Sequence, residues 1–190
     1  CWLAENLKTV FYSNSDAIPT ASQNVEWING TYGGMVTAYS DVEGECYHYS
    51  PTINACDVSQ SIPEYGRLYN KDAVNDARGL CPSGWHVATG SEFGSLQTQL
   101  SANDLKAVDG WYEGLNGNND SGFDANPNGM RNGNTGQLIN GGYQANWWSQ
   151  DSGMYWFMNH TSETLAQSST SPGGVTNRFG FAVRCVKDSD

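Results

Sequence analysis

Apolar and polar residues alternate over the last third of the chain. Tyr143, Ala145 and Trp147 fall on one face of an extended segment, and Gln144, Asn146 and Trp148 on the other. Met154, Trp156 and Met158 oppose Tyr155, Phe157 and Asn159 in the same way, and Phe179, Phe181, Val183 and Cys185 recur at a period of two. Side chains of a strand point alternately to its two faces, so these runs predict three strands. Earlier segments follow helical spacing. Leu68, Tyr69, Ala73, Val74 and Ala77 lie three and four apart and predict a short helix near Asp72 to Arg78, closed by Gly79 ahead of Pro82. Thr89-Gly90-Ser91-Glu92 reads as a capping box opening a second helix, whose buried stripe is Phe93, Leu96 and Leu100. Between Asp109 and Asn140 the chain is dominated by Gly, Asn and Asp, and it reads as one long loop. No internal repeat is visible. Short helices, small sheets and a long loop define an α+β class, with residues 1–190 as a single domain.

Composition fits that pattern. Of 190 residues 22 are glycine, 15% are charged and 12% are aromatic, which suits a folded, loop-rich chain, because disordered chains are poor in aromatics. The net charge of −11, with nine Lys and Arg, argues against nucleic acid and anionic lipid surfaces as partners, since both require clustered cations. The acidity serves solubility or, more sharply, a cation-binding loop. No run reaches the ~18–20 apolar residues of a membrane span, so no membrane insertion is expected. The start, Cys1-Trp2-Leu3-Ala4-Glu5-Asn6-Leu7, lacks the order of a signal peptide and suggests a fragment of a larger protein.

The five cysteines are Cys1, Cys46, Cys56, Cys81 and Cys185, and none has the spacing of a structural zinc site. Cys46 and Cys56 bracket a polar, turn-forming segment, so a local disulfide is the simplest use of that pair. Cys81 and Cys185 would then tie the middle of the chain to its last strand. Cys1 is left over, as a free thiol, a partner for a cysteine elsewhere, or a residue at a cut end. An oxidising compartment is required for this framework.

Six ordered blocks carry a family resemblance. They are Trp2-Leu3-Ala4-Glu5-Asn6-Leu7, Tyr65-Gly66-Arg67-Leu68-Tyr69-Asn70, Ala77 to Val87 including Gly84-Trp85-His86, Gly122-Phe123, Trp147-Trp148-Ser149, and Gly180-Phe181-Ala182-Val183-Arg184-Cys185-Val186. The chain resembles the Fibrobacter succinogenes major paralogous domain nearly end to end. The resemblance implies a C-type-lectin-like fold, in which a helix cysteine pairs with one on the last strand and a smaller disulfide closes a loop. It further implies secretion in bacteria, often within a larger surface protein, or a place in a phage virion, and it implies no established chemistry. Two positions depart from the family's usual pattern: Lys71 stands in place of an aromatic residue and Ala88 in place of proline, which bear on helix packing and a turn.

The candidate chemistry is sparse. A calcium-dependent lectin would show a Glu-Pro-Asn or Gln-Pro-Asn loop and a Trp-Asn-Asp strand, whereas here the nearest segments are Asn126-Pro127-Asn128 and Trp147-Trp148-Ser149. A structural calcium ion is the cofactor to consider, with Asp120 and Asp124 as metal candidates among Asn116, Asn118, Asn119, Asn126 and Asn128. Asn, Asp and Gly are also what tight turns need. The sulfatase-modifying enzymes, which share a related fold, use paired cysteines, but only Cys185 stands in the C-terminal half. His48, His86 and His160 accompany no nucleophile in a recognisable setting, and His86 is expected to pack. The chain is therefore read as not an enzyme.

The segment Asn146 to Thr176 mixes Tyr, Trp, Asn, Ser and Gln, a composition that recognition loops favour. The expected ligand-binding residues are Asn146, Trp148, Gln150, Asp151, Tyr155, Phe157, Asn159 and Thr161, with Tyr155, Phe157, Asn159 and Thr161 sharing one strand face. In domains of this fold the same stretch is where diversity-generating retroelements vary receptor-binding residues. The expected function is an extracellular adhesion or receptor-binding module on a bacterial surface or phage virion, recognising a glycan or protein. The alternative is a structural or decoration domain that packs on neighbouring subunits of an assembly.

Overall fold

The computed structural model describes residues 1–30, 33–38, 53–151, 153–169 and 176–189. The chain is mixed α+β, with short helices and small antiparallel sheets. The helices are α1 (Asn24–Asn29), α2 (Val58–Tyr65), α3 (Lys71–Val74), α4 (Gly90–Gln99) and α5 (Ala102–Leu105). The strands are β1 (Val36–Thr37), β2 (Leu68–Tyr69), β3 (Trp85–Val87), β4 (Asn128–Arg131), β5 (Leu138–Gly141), β6 (Gln144–Trp148), β7 (Met154–Asn159), β8 (Ala166–Ser169) and β9 (Cys185–Lys187). They pair as β1–β2, β3–β9, β4–β5 and β6–β7–β8.

What joins these small sheets is the segment from Gly180 to Lys187. Gly180 exchanges backbone hydrogen bonds with Arg131 of β4, Phe181 with Tyr69 of β2, and Ala182 receives from Trp148 and donates to Asn146 of β6. Its continuation pairs with β3 and receives the amides of Leu3 and Leu7 at Cys185 and Val183. This spine is one of the six sequence blocks, and Gly180 shows why its side chain must be absent. A Cβ there would stand 2.8 Å from both the Arg131 Cβ and the Trp27 ring. The Cys81–Cys185 disulfide, with Cα atoms 5.9 Å apart, anchors the spine to the bend before β3. Cys81 thus lies after α3 and not within a helix. Cys56 is disulfide-bonded, whereas its expected partner, Cys46, lies outside the described residues. Cys1 is exposed and free.

Two buried clusters flank the spine. One contains Tyr69, Cys81, Trp148, Phe181, Val183 and Cys185, and the other Phe93, Trp111, Phe123, Trp147, Trp156 and Met158. Helix α4 begins as the capping box predicts: the Thr89 Oγ1 accepts from the Glu92 amide and the Glu92 carboxylate accepts from the Thr89 amide. Phe93 is buried, with Leu96 and Leu100 packed at the edge.

Three expectations need correction. The helix predicted near Asp72 to Arg78 is the shorter α3, because Asp76 turns the chain by accepting the Arg78 amide at 3.0 Å and the Gly79 amide at 2.9 Å. The long loop contains a hairpin, β4–β5, around a turn in which the Asn132 Oδ1 accepts the amides of Asn134 and Thr135. The third strand, expected from Phe179 to Cys185, is a set of single bridges at 180–182 followed by β9.

Candidate binding face

In the sheet β6–β7–β8 the sequence alternation holds. Trp147 and Trp156 are cross-strand partners facing the interior, 0% and 3% exposed, as are Ala145 and Met158. The other face carries the rows Trp148–Tyr155–Ser168, Asn146–Phe157–Ala166 and Gln144–Asn159. The spine and the hairpin cover the β6 side of that face. Trp148 donates through Nε1 to the Tyr69 carbonyl (2.7 Å) and packs on Phe181, and Asn146 donates through Nδ2 to the Gly129 carbonyl (3.0 Å). Both are fully buried, which removes Asn146 and Trp148 from the expected contact residues.

The β7 side remains half-open. Tyr155 and Phe157 have ring centroids 5.9 Å apart, Tyr155 lies 4.7 Å from Phe181, and Phe179 stacks on Phe181 at 5.8 Å. Their planes are inclined to one another by only 23–37°, so Tyr155, Phe157 and Phe179 form a shallow aromatic platform floored by Phe181. Asn159, also half-buried, borders it in the next row. Phe179 is not among the expected face residues; its alternation predicts only a third strand.

The turn between β6 and β7 closes one end. Gln150 and Asp151 are exposed on it, but their local bonding is structural. The Gln150 amide donates to the Ala88 carbonyl (2.8 Å), and the Asp151 carboxylate accepts from the Gly90 amide (2.5 Å), capping α4. Lys71 pins the turn from below, donating to the carbonyls of Ser149 (2.6 Å) and Asp151 (3.1 Å) and lying over the Trp148 ring. Burial pulls the Lys71 ammonium down to about 8, with the Asp151 charge opposing the shift. The family departure at Lys71 thus bears on this turn as well as on helix packing.

Thr161 lies beyond the other end of β7, exposed at a separate open cavity of about 530 Å³. The structure therefore divides the expected residues among a platform, a docked turn, the interior and a cavity.

The proposed metal donors are occupied with one another. The Asp120 carboxylate accepts from the Asn118 amide group (2.7 Å), and the Asp124 carboxylate from that of Asn119 (3.0 Å). Asn119 and Asp124 have φ of 54°, the left-handed region that short polar side chains tolerate. Burial raises the Asp124 carboxyl, with Arg184 pulling the other way. Asn126 and Asn128 bond to Glu64 and Asn146. Amide donors pointing at the carboxylates do not fit a calcium cage, and among the described residues no three acidic, imidazole or thiol groups converge on a metal position. The acidic residues Asp41, Glu43 and Glu45 lie outside the described residues.

His86 is not packed inside. Its Nδ1 meets Asp188 at 2.7 Å and its Nε2 meets Glu92 at 3.0 Å, which raises its pKa, Asp188 first. With both ring nitrogens held by carboxylates, neither is free to serve as a base. His48 lies outside the described residues. No described helix is long and apolar enough to cross a membrane.

These features define a disulfide-tied α+β domain that presents an aromatic platform on its largest sheet. The chain belongs to the Fibrobacter succinogenes major domain family, whose profile matches residues 1–187. No curated protein and no solved structure matches it.

Proposed function

We propose that this domain is a non-catalytic, extracellular binding module of C-type-lectin-like fold, displayed as part of a larger protein on a bacterial surface or phage virion. It grips a glycan or protein receptor through Tyr155, Phe157, Phe179 and Asn159. The observation that carries this reading is the half-open aromatic platform outside a sheet whose inner face already buries Trp147 and Trp156. Core packing on the inner face does not use the platform's outward surface, and Tyr and Phe there supply contact area at low conformational cost. The clamped His86 supports a role without turnover.

A second reading follows from β8, an outer strand of the sheet with exposed Gln167 and Ser169: a decoration domain whose neighbours pack on this edge and platform. A glycan array and a surface-protein panel, run with and without chelator, test the first reading. Phe157→Ala and Asn159→Ala are expected to abolish captured signals, with amide exchange of β6 and β7 unchanged. Equal capture by both variants would overturn the assignment of this face. A domain that binds nothing but self-associates in dilute solution would favour the decoration reading.

A further inference from the structure

Four of the nine cationic side chains are buried: Lys71, Lys106, Arg131 and Arg184. Three are well supplied with acceptors. Arg131 bonds the carbonyls of Ala21, Gln23 and Gly136 and the side chains of Thr37 and Asn24. Arg184 bonds Asn6, Leu3 and Asp124, and Lys71 bonds two carbonyls. Lys106 differs. Only 4% exposed, it lies over the Trp111 ring and donates to one acceptor, the His160 carbonyl at 2.5 Å. An ammonium has three N–H donors, so two of its donors lack a protein acceptor among the described residues.

Lys106 lines the 530 Å³ cavity beyond the end of β7, and its neighbours there are also rich in donors that no described residue uses. The Asn116 Oδ1 is taken by the Trp111 amide (3.1 Å), which leaves its NH2 group. The Ser162 Oγ accepts the Asn159 amide (2.9 Å), which leaves its hydroxyl hydrogen. Thr161 adds an exposed hydroxyl, and Leu115, 41% exposed, adds an apolar wall. Glu163, at the exposed rim, is the only carboxylate in the lining among the described residues. The cavity lies within the size range of small-ligand sites.

We propose that this cavity is a second binding site, separate from the aromatic platform, which takes a sugar acid: the carboxylate meets Lys106, the hydroxyls meet Asn116, Thr161 and Ser162, and a C–H face rests on Leu115. The arrangement matches a ligand rich in acceptors with one negative charge, since an unpaired buried ammonium gains most from an anion that replaces its lost water. Burial alone holds the Lys106 pKa below its ordinary value, consistent with a missing counter-charge.

The test is an NMR titration of the labelled domain with D-glucuronate, D-glucose and acetate. Glucuronate is expected to shift the amides of Lys106, Asn116 and Thr161 to Glu163, and to bind about tenfold tighter than glucose, the worth of one charge-assisted hydrogen bond. Acetate is expected to shift the same amides with weaker affinity. Lys106→Met should erase the preference for glucuronate over glucose, and Glu163→Gln should strengthen glucuronate binding only. Should Lys106→Met fail to fold, Glu163→Gln and Leu115→Ala decide, the latter weakening both sugars alike. Equal binding of glucose and glucuronate, acetate as tight as glucuronate, shifts confined to other amides, or unchanged glucuronate binding by folded Lys106→Met would overturn the proposal.

Discussion

Replacing Lys71 by Met tests how the turn at the end of the platform is held. Lys71 is 1% exposed, and the ordinary pKa of its ammonium, 10.5, falls to about 8 through burial. Carrying that charge near neutral pH therefore costs the folded state about 3 kcal/mol relative to the unfolded chain. Met keeps a stem of similar length and removes this cost, but it leaves the Ser149 carbonyl buried without its donor, a loss of about 1–3 kcal/mol. Near pH 7 the two effects oppose, and the variant should lie within about 2 kcal/mol of wild type. Raising the pH separates them. Between the folded value near 8 and the unfolded 10.5 the unfolded chain binds the proton that the folded chain has released, so wild-type stability rises with pH. The neutral amine still donates to both carbonyls. Urea unfolding of both proteins, disulfides intact, should show wild type gaining about 3 kcal/mol on Lys71→Met across that interval, other titrations cancelling in the difference. Parallel profiles would refute the reasoning, because a hydrated ammonium has no such slope.

Two further outcomes are expected. Replacing Cys81 and Cys185 together by Ala opens a closure spanning 104 positions and should cost about 4–5 kcal/mol in the chain-entropy account, read from the urea midpoint at constant slope. His86 is raised above 6.5 by Asp188 and Glu92, so its contribution is complete below 6.5 and is lost as pH rises through the raised folded value. Because the ring is 37% exposed, melting of His86→Gln against wild type should show a deficit of only about 0.5 kcal/mol in acid, vanishing in base; a deficit constant with pH would mean packing, not charge.

The sequence was most legible where a single local rule decides structure. Thr89 and Glu92 fixed the start of α4 through hydrogen bonds three residues apart, and alternation placed Trp147 and Trp156 opposite Tyr155 and Phe157. It was least legible where partners are distant. Nothing in Asn128-Gly129-Met130-Arg131 alternates in hydropathy, yet the segment is a strand, because Arg131 is held by carbonyls over 100 positions away and Asn128 by Asn146. Asn146 and Trp148 looked like face residues for the same reason: alternation gives the side of the sheet but not the spine that covers half of it. Lys106 offered no signal at all, as a single lysine in a polar stretch is ordinarily a solvated one.

The buried cations explain how a chain so rich in Gly and Asn holds its loops. Short strands and helices leave many carbonyls without ladder partners, and each buried one needs a donor. A guanidinium supplies five and an ammonium three, from one position, without the fixed geometry of a strand. Arg131 gathers carbonyls from the segments at Ala21, Gln23 and Gly136, and Arg184 gathers those of Leu3 and Asp124, while Trp27 and Phe123 lie against the two guanidinium groups. Desolvation makes such links costly, so their value is in selecting one arrangement of loops more than in net stability. The same use of charge sets the field of the surface. With four of nine cations spent inside, the surface carries a large excess of the twenty acidic side chains. A receptor for the aromatic platform, as proposed, would have to tolerate that field, which favours uncharged or cationic partners there. At Lys106, where an interior cation has donors to spare beside an open cavity, the proposed second site would give an anion a place.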